Sequence, residues 1–306
     1  MLDAWLLDIR ARVKPSTYAA YVQRAEKHLR PTLGPLPFGS LSAADIAGLH
    51  RELNALSQAT QHGVLCVLNQ VFLFARAKGY TLDLELATPR RSVEKHNAKV
   101  LSVAELKRLE ASLLQDLDEK KLGLLICMYT GLRLGEICAL RWEDISLSDQ
   151  TLYVRRTVQR IKNEDPLHPG KTRILFDTPK SGSSARCIPI PLALTALLKR
   201  FQCVGSCFIL TSCADLFVDP RTYQDFFKYR LRRAGIPAVN FHALRHTFAT
   251  RCVELGLDAK SLSEVLGHAS VKTTLDVYVH PSAQQVRGCL ERMTAQLPGG
   301  GLPIDD

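Results

Sequence analysis

The chain has 306 residues, with 40 lysines and arginines against 30 aspartates and glutamates, and a formal net charge of +10. At 46% hydrophobic and 23% charged residues it has a globular composition, long enough to build two cores, which argues against long disorder. Its longest apolar stretches, such as Leu122–Tyr129, fall far short of the ~18–20 residues that span a bilayer, and Asp3 and Asp8 interrupt the apolar N-terminus, so neither a membrane protein nor a secretory signal is expected.

The excess positive charge favours a polyanionic partner. It is spread along the chain: residues 1–95 hold 12 basic and 8 acidic side chains, the remainder 28 and 22. Both halves are therefore expected to touch that partner. The nine cysteines are odd in number and form no CxxC pair. Cys66, Cys127 and Cys138 sit in apolar helical patterns and read as reduced core thiols, which places the chain in the cytosol. Cys203, Cys207 and Cys213 lie close together, but their spacings match no common zinc pattern, so no metal and no cofactor is assigned.

Taken in chain order, residues 1–90 read as a small all-α domain. Met1–Arg10 is helical; Ser16 is a candidate N-cap for a helix carrying Tyr18, Tyr21, Val22, Ala25 and Leu29, closed by Pro31 and Gly34-Pro35. Ser42 caps a second segment with Ile46, Leu49, Leu53 and Leu56 on one face. A third runs from about Ser57 to Lys78, with Val64, Leu65, Leu68, Phe72 and Ala75 inward and Gly79 at its end. Residues 91–100 form a polar linker. The larger domain, 101–298, reads as α+β, helix-rich with a small antiparallel sheet. It opens at a capping box, Ser102 with Glu105, and stays helical through 119–143. Strand character appears over Thr151–Ile161, and again in Arg173–Asp177 and Ala185–Pro189, which flank Lys180-Ser-Gly-Ser-Ser184 as a hairpin. Helical periodicity then returns, broken at 235–237, Gly256 and Gly267. Residues 299–306 form a flexible tail.

Four segments set polar or cationic groups in apolar surroundings: Tyr129-Thr-Gly-Leu-Arg-Leu-Gly-Glu136, Thr178-Pro-Lys180, Phe241-His-Ala-Leu-Arg-His-Thr-Phe248, and Leu266-Gly-His268 followed by Tyr278. In this order they resemble the tyrosine recombinases, or phage integrases, across 100–280, and the preceding helices resemble that family's SAM-like core-binding domain more loosely. The resemblance implies Arg133 and Arg245 as the arginine pair, Glu136 as the acidic companion of the first, Lys180 as the hairpin lysine, His242 as the first histidine of the His-x-x-Arg box, His268 as the second, and Tyr278 as nucleophile. It further implies double-stranded DNA as partner, a homotetramer in the synaptic complex, room for a directionality factor, and no cofactor. The chain departs from the family in reading Ala-Thr-Pro-Arg where many members end the linker near Asn-Pro. It also opens directly on the core-binding region, as expected either of a recombinase without the arm-binding domain of many phage members or of a chain truncated ahead of it.

The chemistry is consistent on its own terms. Two guanidinium forks neutralise a phosphate bidentately without a metal, and their charge favours a tyrosine phenolate. A histidine can take the phenolic proton or bind the phosphate, and a hairpin lysine can protonate the leaving 5′-oxygen. His246 is expected to point off the His242/Arg245 face as a packing residue, and His280 to be an accessory. A covalent 3′-phosphotyrosine preserves the bond energy, so strands can be exchanged without ATP. The favoured reading is a site-specific recombinase of a mobile element. A Xer-type resolvase, a type IB-like topoisomerase and a non-catalytic DNA-binding protein stand as alternatives. The apolar stripe Val286, Leu290 and Met293 is expected to serve contacts between subunits.

Overall fold

The computed structural model describes residues 1–80, 99–163, 170–178, 185–203, 205–278 and 283–295. By proximity of Cα atoms the chain divides into two compact units, Met1–Asn97 with Val158–Phe176, and Ala98–Thr157 with Asp177–Asp306.

The first unit is built on α1 (Leu2–Arg10), α2 (Pro15–Arg24), α3 (Arg30–Leu33), α4 (Ala43–Leu53) and α5 (Gln58–Ala77). Helix α2 does not start at Ser16. Lys14 occupies the N-cap position and Pro15 opens the helix, where its missing N–H is no loss; the Ser16 hydroxyl is buried without a hydrogen bond among the described residues. Nor does Pro31 end the segment. A wide π turn over Ala25–Leu29, in which Arg30 N–H reaches back to Ala25 O, carries the chain into α3, which stops at Leu33. Ser42 caps helix α4 as expected, and does so in a capping box, its N–H donating to Asp45 Oδ2 at 2.8 Å; Ser57 caps α5. Trp5, Leu29, Leu49, Leu53, Val64, Leu68 and Val71 form one core, with Tyr21 tilted against Trp5 at 5.5 Å between ring centroids.

In the second unit α6 (Val103–Leu114) starts at the Ser102/Glu105 capping box and α7 (Glu119–Thr130) at Asp118, whose carboxylate accepts Lys121 N–H at 2.7 Å. Helix α7 is the central helix, buried on all sides at Leu122, Leu124, Leu125, Ile126 and Cys127. Its neighbours press close: a Cβ at Gly123 would stand 2.5 Å from Tyr223 Oη. The expected helical run to residue 143 is broken at Gly131, after which α8 (Leu134–Ala139) and a 3-10 turn (Trp142–Asp144) follow.

Strands β1 (Ile145–Ser146) and β2 (Thr151–Val154) are followed by β3 (Thr157–Lys162) and β4 (Thr172–Asp177), which fall almost wholly in the first unit, and then by β5 (Arg186–Pro189) of the second. The strand expected over Thr151–Ile161 is thus two strands, parted at Arg155-Arg156, where Arg156 turns to bind Asp144 Oδ1 at 3.0 Å. The expected hairpin between 173–177 and 185–189 is not formed either. Strand β5 pairs antiparallel with β2, in the order β1-β2-β5, while β4 pairs with β3 in a separate sheet. Alternation decides the first pairing, because Leu152 and Val154 of β2 and Ile188 of β5 all face inward. Helices α9 (Leu192–Lys199), α10 (Pro220–Arg233), α11 (His242–Glu254), α12 (Ala259–Leu266), α13 (Val271–Tyr278) and α14 (Ala283–Ala295) complete the unit. Glycines 235, 256 and 267, each at positive φ, mark the anticipated breaks. The linker at 91–100 is largely, and the tail at 299–306 wholly, outside the described residues. No helix among the described residues is long and apolar enough to cross a membrane.

Candidate active site

Helix α7 ends on Gly131 in the left-handed conformation, φ +65°. A Cβ there would also come 2.6 Å from Phe248 Cδ1, so both backbone and packing require glycine. The turn delivers Arg133 as the residue preceding α8. Its N–H and Nη1 donate to the two oxygens of Glu136, at 2.9 and 2.8 Å, and its Nη2 to Gly267 O at 3.1 Å. A third of the Arg133 side chain, 34%, remains exposed.

Glu136 is buried and gripped from the other side by Arg186, which the sequence reading passed over. Arg186 Nη1 and Nη2 donate to the same carboxylate at 3.0 and 2.9 Å, and its Nε to Val265 O at 2.6 Å. Burial would raise the Glu136 carboxyl, but the Arg186 hydrogen bonds and the charges of Arg186 and Arg133 outweigh it and hold the group down at about 2. The available signal was parity, since Arg186 shares its strand face with the buried Ile188 and Ile190.

Helix α11 packs on α7 and α12 and carries Arg245 inward, 1% exposed. Its Nη1 donates to Gly131 O at 3.0 Å and its Nη2 to Leu266 O at 2.5 Å. These two carbonyls lie beside Arg133 and His268, so one guanidinium ties together three of the four segments singled out in the sequence. No carboxylate pairs with Arg245 among the described residues. Burial pulls it down to about 9, which leaves it cationic at neutral pH.

Tyr278 ends α13 with its ring in a cluster of Ala249, Leu262 and Leu266, 8% exposed. Its hydroxyl lies 2.8 Å from His246 Nδ1. The expectation for His246 is thereby corrected. A spacing of four residues keeps it on the same helix face as His242, whose ring it meets edge-on at 4.5 Å. The His268 ring lies parallel to that of Tyr278, 6.3 Å away, with its Nδ1 held by Thr274 Oγ1 at 2.9 Å. Burial and cationic neighbours bring His242 and His268 down to about 4, and lower His246 too, so all three are neutral at pH 7. Burial also raises Tyr278 above its ordinary value, although Arg245 and Arg133 pull the other way as anticipated; the resting group is the phenol. Lys180 and His280 lie outside the described residues.

With the histidines neutral, the guanidinium groups of Arg133, Arg186 and Arg245 outnumber the one Glu136 carboxylate by two positive charges among the described residues, and Arg133 and Arg245 act on the buried phenol. That suits a phosphodiester, which carries one negative charge and gains a second as a phenolate attacks. Among the described residues no group of histidine, cysteine, aspartate and glutamate side chains is arranged to hold a metal ion. Cys203 and Cys207 instead hydrogen-bond each other, which raises the Cys207 thiol.

Residues 99–285 match the phage integrase family, and residues 1–54 the N-terminal SAM-like domain of phage integrases. A tyrosine recombinase XerC-like protein of Caldanaerobacter subterraneus subsp. tengcongensis is 25% identical, over 96% of this chain and 81% of its own length. The ICEBs1 integrase of Bacillus subtilis is 23% identical over 92% of this chain and 78% of its own. In fold, the chain resembles the Tn1549 transposon integrase solved with transposon right-end DNA, with a TM-score of 0.75 and 21% identity over 96% of this chain and 99% of that one. The family match spans well over half of the sequence and contains every segment that builds the pocket around Tyr278: the chain belongs to the phage integrase family of tyrosine site-specific recombinases.

Proposed function

We propose that this protein cuts and rejoins double-stranded DNA at specific sites through a 3′-phosphotyrosine on Tyr278, as the integrase of a mobile element. One observation carries the reading: a buried Arg245 guanidinium, which pairs with no carboxylate among the described residues, and the Tyr278 hydroxyl stand in one site with Arg133, an arrangement that suits an anion. Arg133 and Arg245 clamp the scissile phosphate, and their charge lowers the barrier to phenolate attack. Glu136 orients Arg133. His242 and His268 bind the phosphate oxygens as neutral donors, and Lys180 protonates the leaving 5′-oxygen. A 5′-hydroxyl of the partner strand then attacks the phosphotyrosine, which restores the phosphodiester without nucleotide hydrolysis.

We assign core-DNA binding to residues 1–90, the linker to 91–100, catalysis to 101–298 and a tail to 299–306, with the DNA-facing charge divided between both domains in a cytoplasmic protein. Exchange of two strand pairs needs four nucleophiles, hence a tetramer on two sites. The lambda integrase, which shares the fold at a TM-score of 0.65, has been seen as a tetramer on a Holliday junction. A directionality factor completes the proposed partners. The mobile-element role is supported by the ICEBs1 relative and by an integrase of Staphylococcus phage L54a, 28% identical over 52% of this chain. A Xer-type role is the second reading, favoured by the XerC-like relative and by XerA of Pyrococcus furiosus, 32% identical over 63% of this chain.

The test is a plasmid carrying the two junctions that flank the gene's own element. Recombinant circles, alongside any relaxed ones, are expected. Relaxation alone would indicate a topoisomerase, and recombination at a chromosomal dimer-resolution site instead would indicate the Xer-type role.

A further inference from the structure

Two histidines, His246 and His268, lie against the nucleophile and a third, His242, against His246, and their geometry divides the labour between them. The His268 ring is parallel to the Tyr278 ring, with its Nδ1 engaged by Thr274. His242 meets His246 edge-on, with one side open to solvent. Among the described residues, His246 is the histidine whose ring nitrogen stands within hydrogen-bond distance of the reacting oxygen, Nδ1 to Oη at 2.8 Å. We propose that His246 is the general base of strand cleavage, accepting the phenolic proton of Tyr278 at Nδ1 and returning it on ligation.

The protonation states agree with that direction of transfer. The groups that face His246 are His242 and Arg245 of its own helix and Tyr278 of α13. Burial, and then the Arg245 charge, keep the imidazole neutral, while burial keeps Tyr278 protonated. A neutral imidazole that carries its proton on Nε2 presents a lone pair at Nδ1, and a phenol presents the hydrogen.

The step balances. The Oη–H bond breaks toward Nδ1, Oη bonds to phosphorus, the P–O5′ bond breaks, and the 5′-oxygen takes a proton from Lys180. On ligation the incoming 5′-oxygen bonds to phosphorus and gives its proton to Lys180, while the P–Oη bond breaks and Oη takes back the proton held by His246. The imidazolium formed in between stands beside Arg245, which disfavours it, so the proton is held loosely and the same residue serves both directions.

This proposal rests on Tyr278 being the nucleophile, and the experiment separates the two. Single-turnover cleavage of a nicked suicide half-site is measured beside gel-shift affinity for the same DNA. His246→Ala is expected to bind DNA normally and cleave about 100-fold more slowly, the lower end of general acid–base effects. His246→Asn, which keeps a hydrogen-bonding atom near Nδ1 but no base, is expected to recover less than about tenfold of that loss. A fluorinated tyrosine at position 278, whose phenol is more acidic, should restore cleavage to His246→Ala. A 5′-phosphorothiolate substrate, whose leaving group needs no acid, should rescue Lys180→Ala but not His246→Ala.

Full activity in His246→Asn, or no gain from the fluorinated tyrosine, would overturn the role of His246. Adduct formation by Tyr278→Phe would overturn the nucleophile itself. A measurement on the unmutated protein is independent of whether the variants fold: 15N-histidine spectra should show His246 as the Nε2–H tautomer, with Nδ1 shifting in Tyr278→Phe. An Nδ1–H tautomer could only donate to the phenol and would contradict the proposal.

Discussion

Replacing Arg186 tests the electrostatic frame of the site, because two of the three hydrogen bonds that orient Arg133 go to one buried carboxylate and the third to Gly267 O. Glu136 accepts four hydrogen bonds, two from Arg133 and two from Arg186. Arg186→Met keeps the aliphatic stem and removes half of them. The fall of Glu136 from its ordinary 4.5 to about 2 is worth about 3 kcal/mol at about 1.4 kcal/mol per pH unit. That agrees with the ~3–5 kcal/mol lost when one partner of a buried pair is removed. For a unit of this size it corresponds to a drop of roughly 6–12 °C in unfolding midpoint. Because the folded value lies below the ordinary one, this stability is present above pH 4.5 and is lost as pH falls through about 2. The difference between wild type and Arg186→Met, followed by thermal unfolding, should therefore be full at pH 7 and shrink steadily below pH 4.5. The double variant Arg186→Met, Glu136→Leu should be more stable at pH 7 than Arg186→Met alone, since no charge is stranded. A loss below about 1 kcal/mol, or a difference independent of pH, would refute the reasoning.

Further outcomes follow from the same geometry. Gly131→Ala forces φ +65° on a residue with a Cβ and drives that atom into Phe248, so it should lower the unfolding midpoint and, by moving the carbonyl that holds Arg245, slow cleavage in a half-site assay. Arg245→Lys cannot span Gly131 O and Leu266 O with one head group, and should bind site DNA yet lose at least about 100-fold in single-turnover cleavage. His242 and His268 have folded values near 4, below the ordinary 6.5, so their contribution to stability is complete above pH 6.5 and is lost as pH falls toward 4. The unfolding midpoint should therefore fall between pH 7 and pH 4.5, and fall less in His268→Gln. Cleavage should persist in chelator without nucleotide; abolition by EDTA with recovery on adding one divalent metal would contradict an arginine-based mechanism.

Much of the architecture was legible because it is written in local chemistry. The cap at Ser42, the capping box at Ser102, the helix from Ser57 to Lys78, and the glycine breaks at 235, 256 and 267 each depend on a few neighbouring residues. The pairing of β5 with β2 rather than β4 was not legible, since it depends on contacts between strands distant in sequence. Arg133, Glu136, His242, Arg245, His268 and Tyr278 were singled out by the resemblance of their segments to the recombinases, and the fold brings those segments together through Arg133, Arg245 and the Tyr278 ring. Arg186 escaped notice because a cation on a short strand reads as solvated until the strand's inward parity is counted. His246 was misjudged although its spacing of four from His242 places both on one face. Its partner Tyr278 lies 32 residues away, and that proximity only the fold supplies.

The central claim is that Tyr278 becomes covalently joined to DNA. The direct measurement is mass spectrometry of the protein–DNA adduct trapped on a nicked suicide substrate, digested to the peptide that bears the nucleotide. The account predicts a 3′-phosphate on the peptide containing Tyr278, no adduct in Tyr278→Phe, and retained site binding by that variant. A nucleotide carried by any other residue, or an adduct formed by Tyr278→Phe, would contradict it.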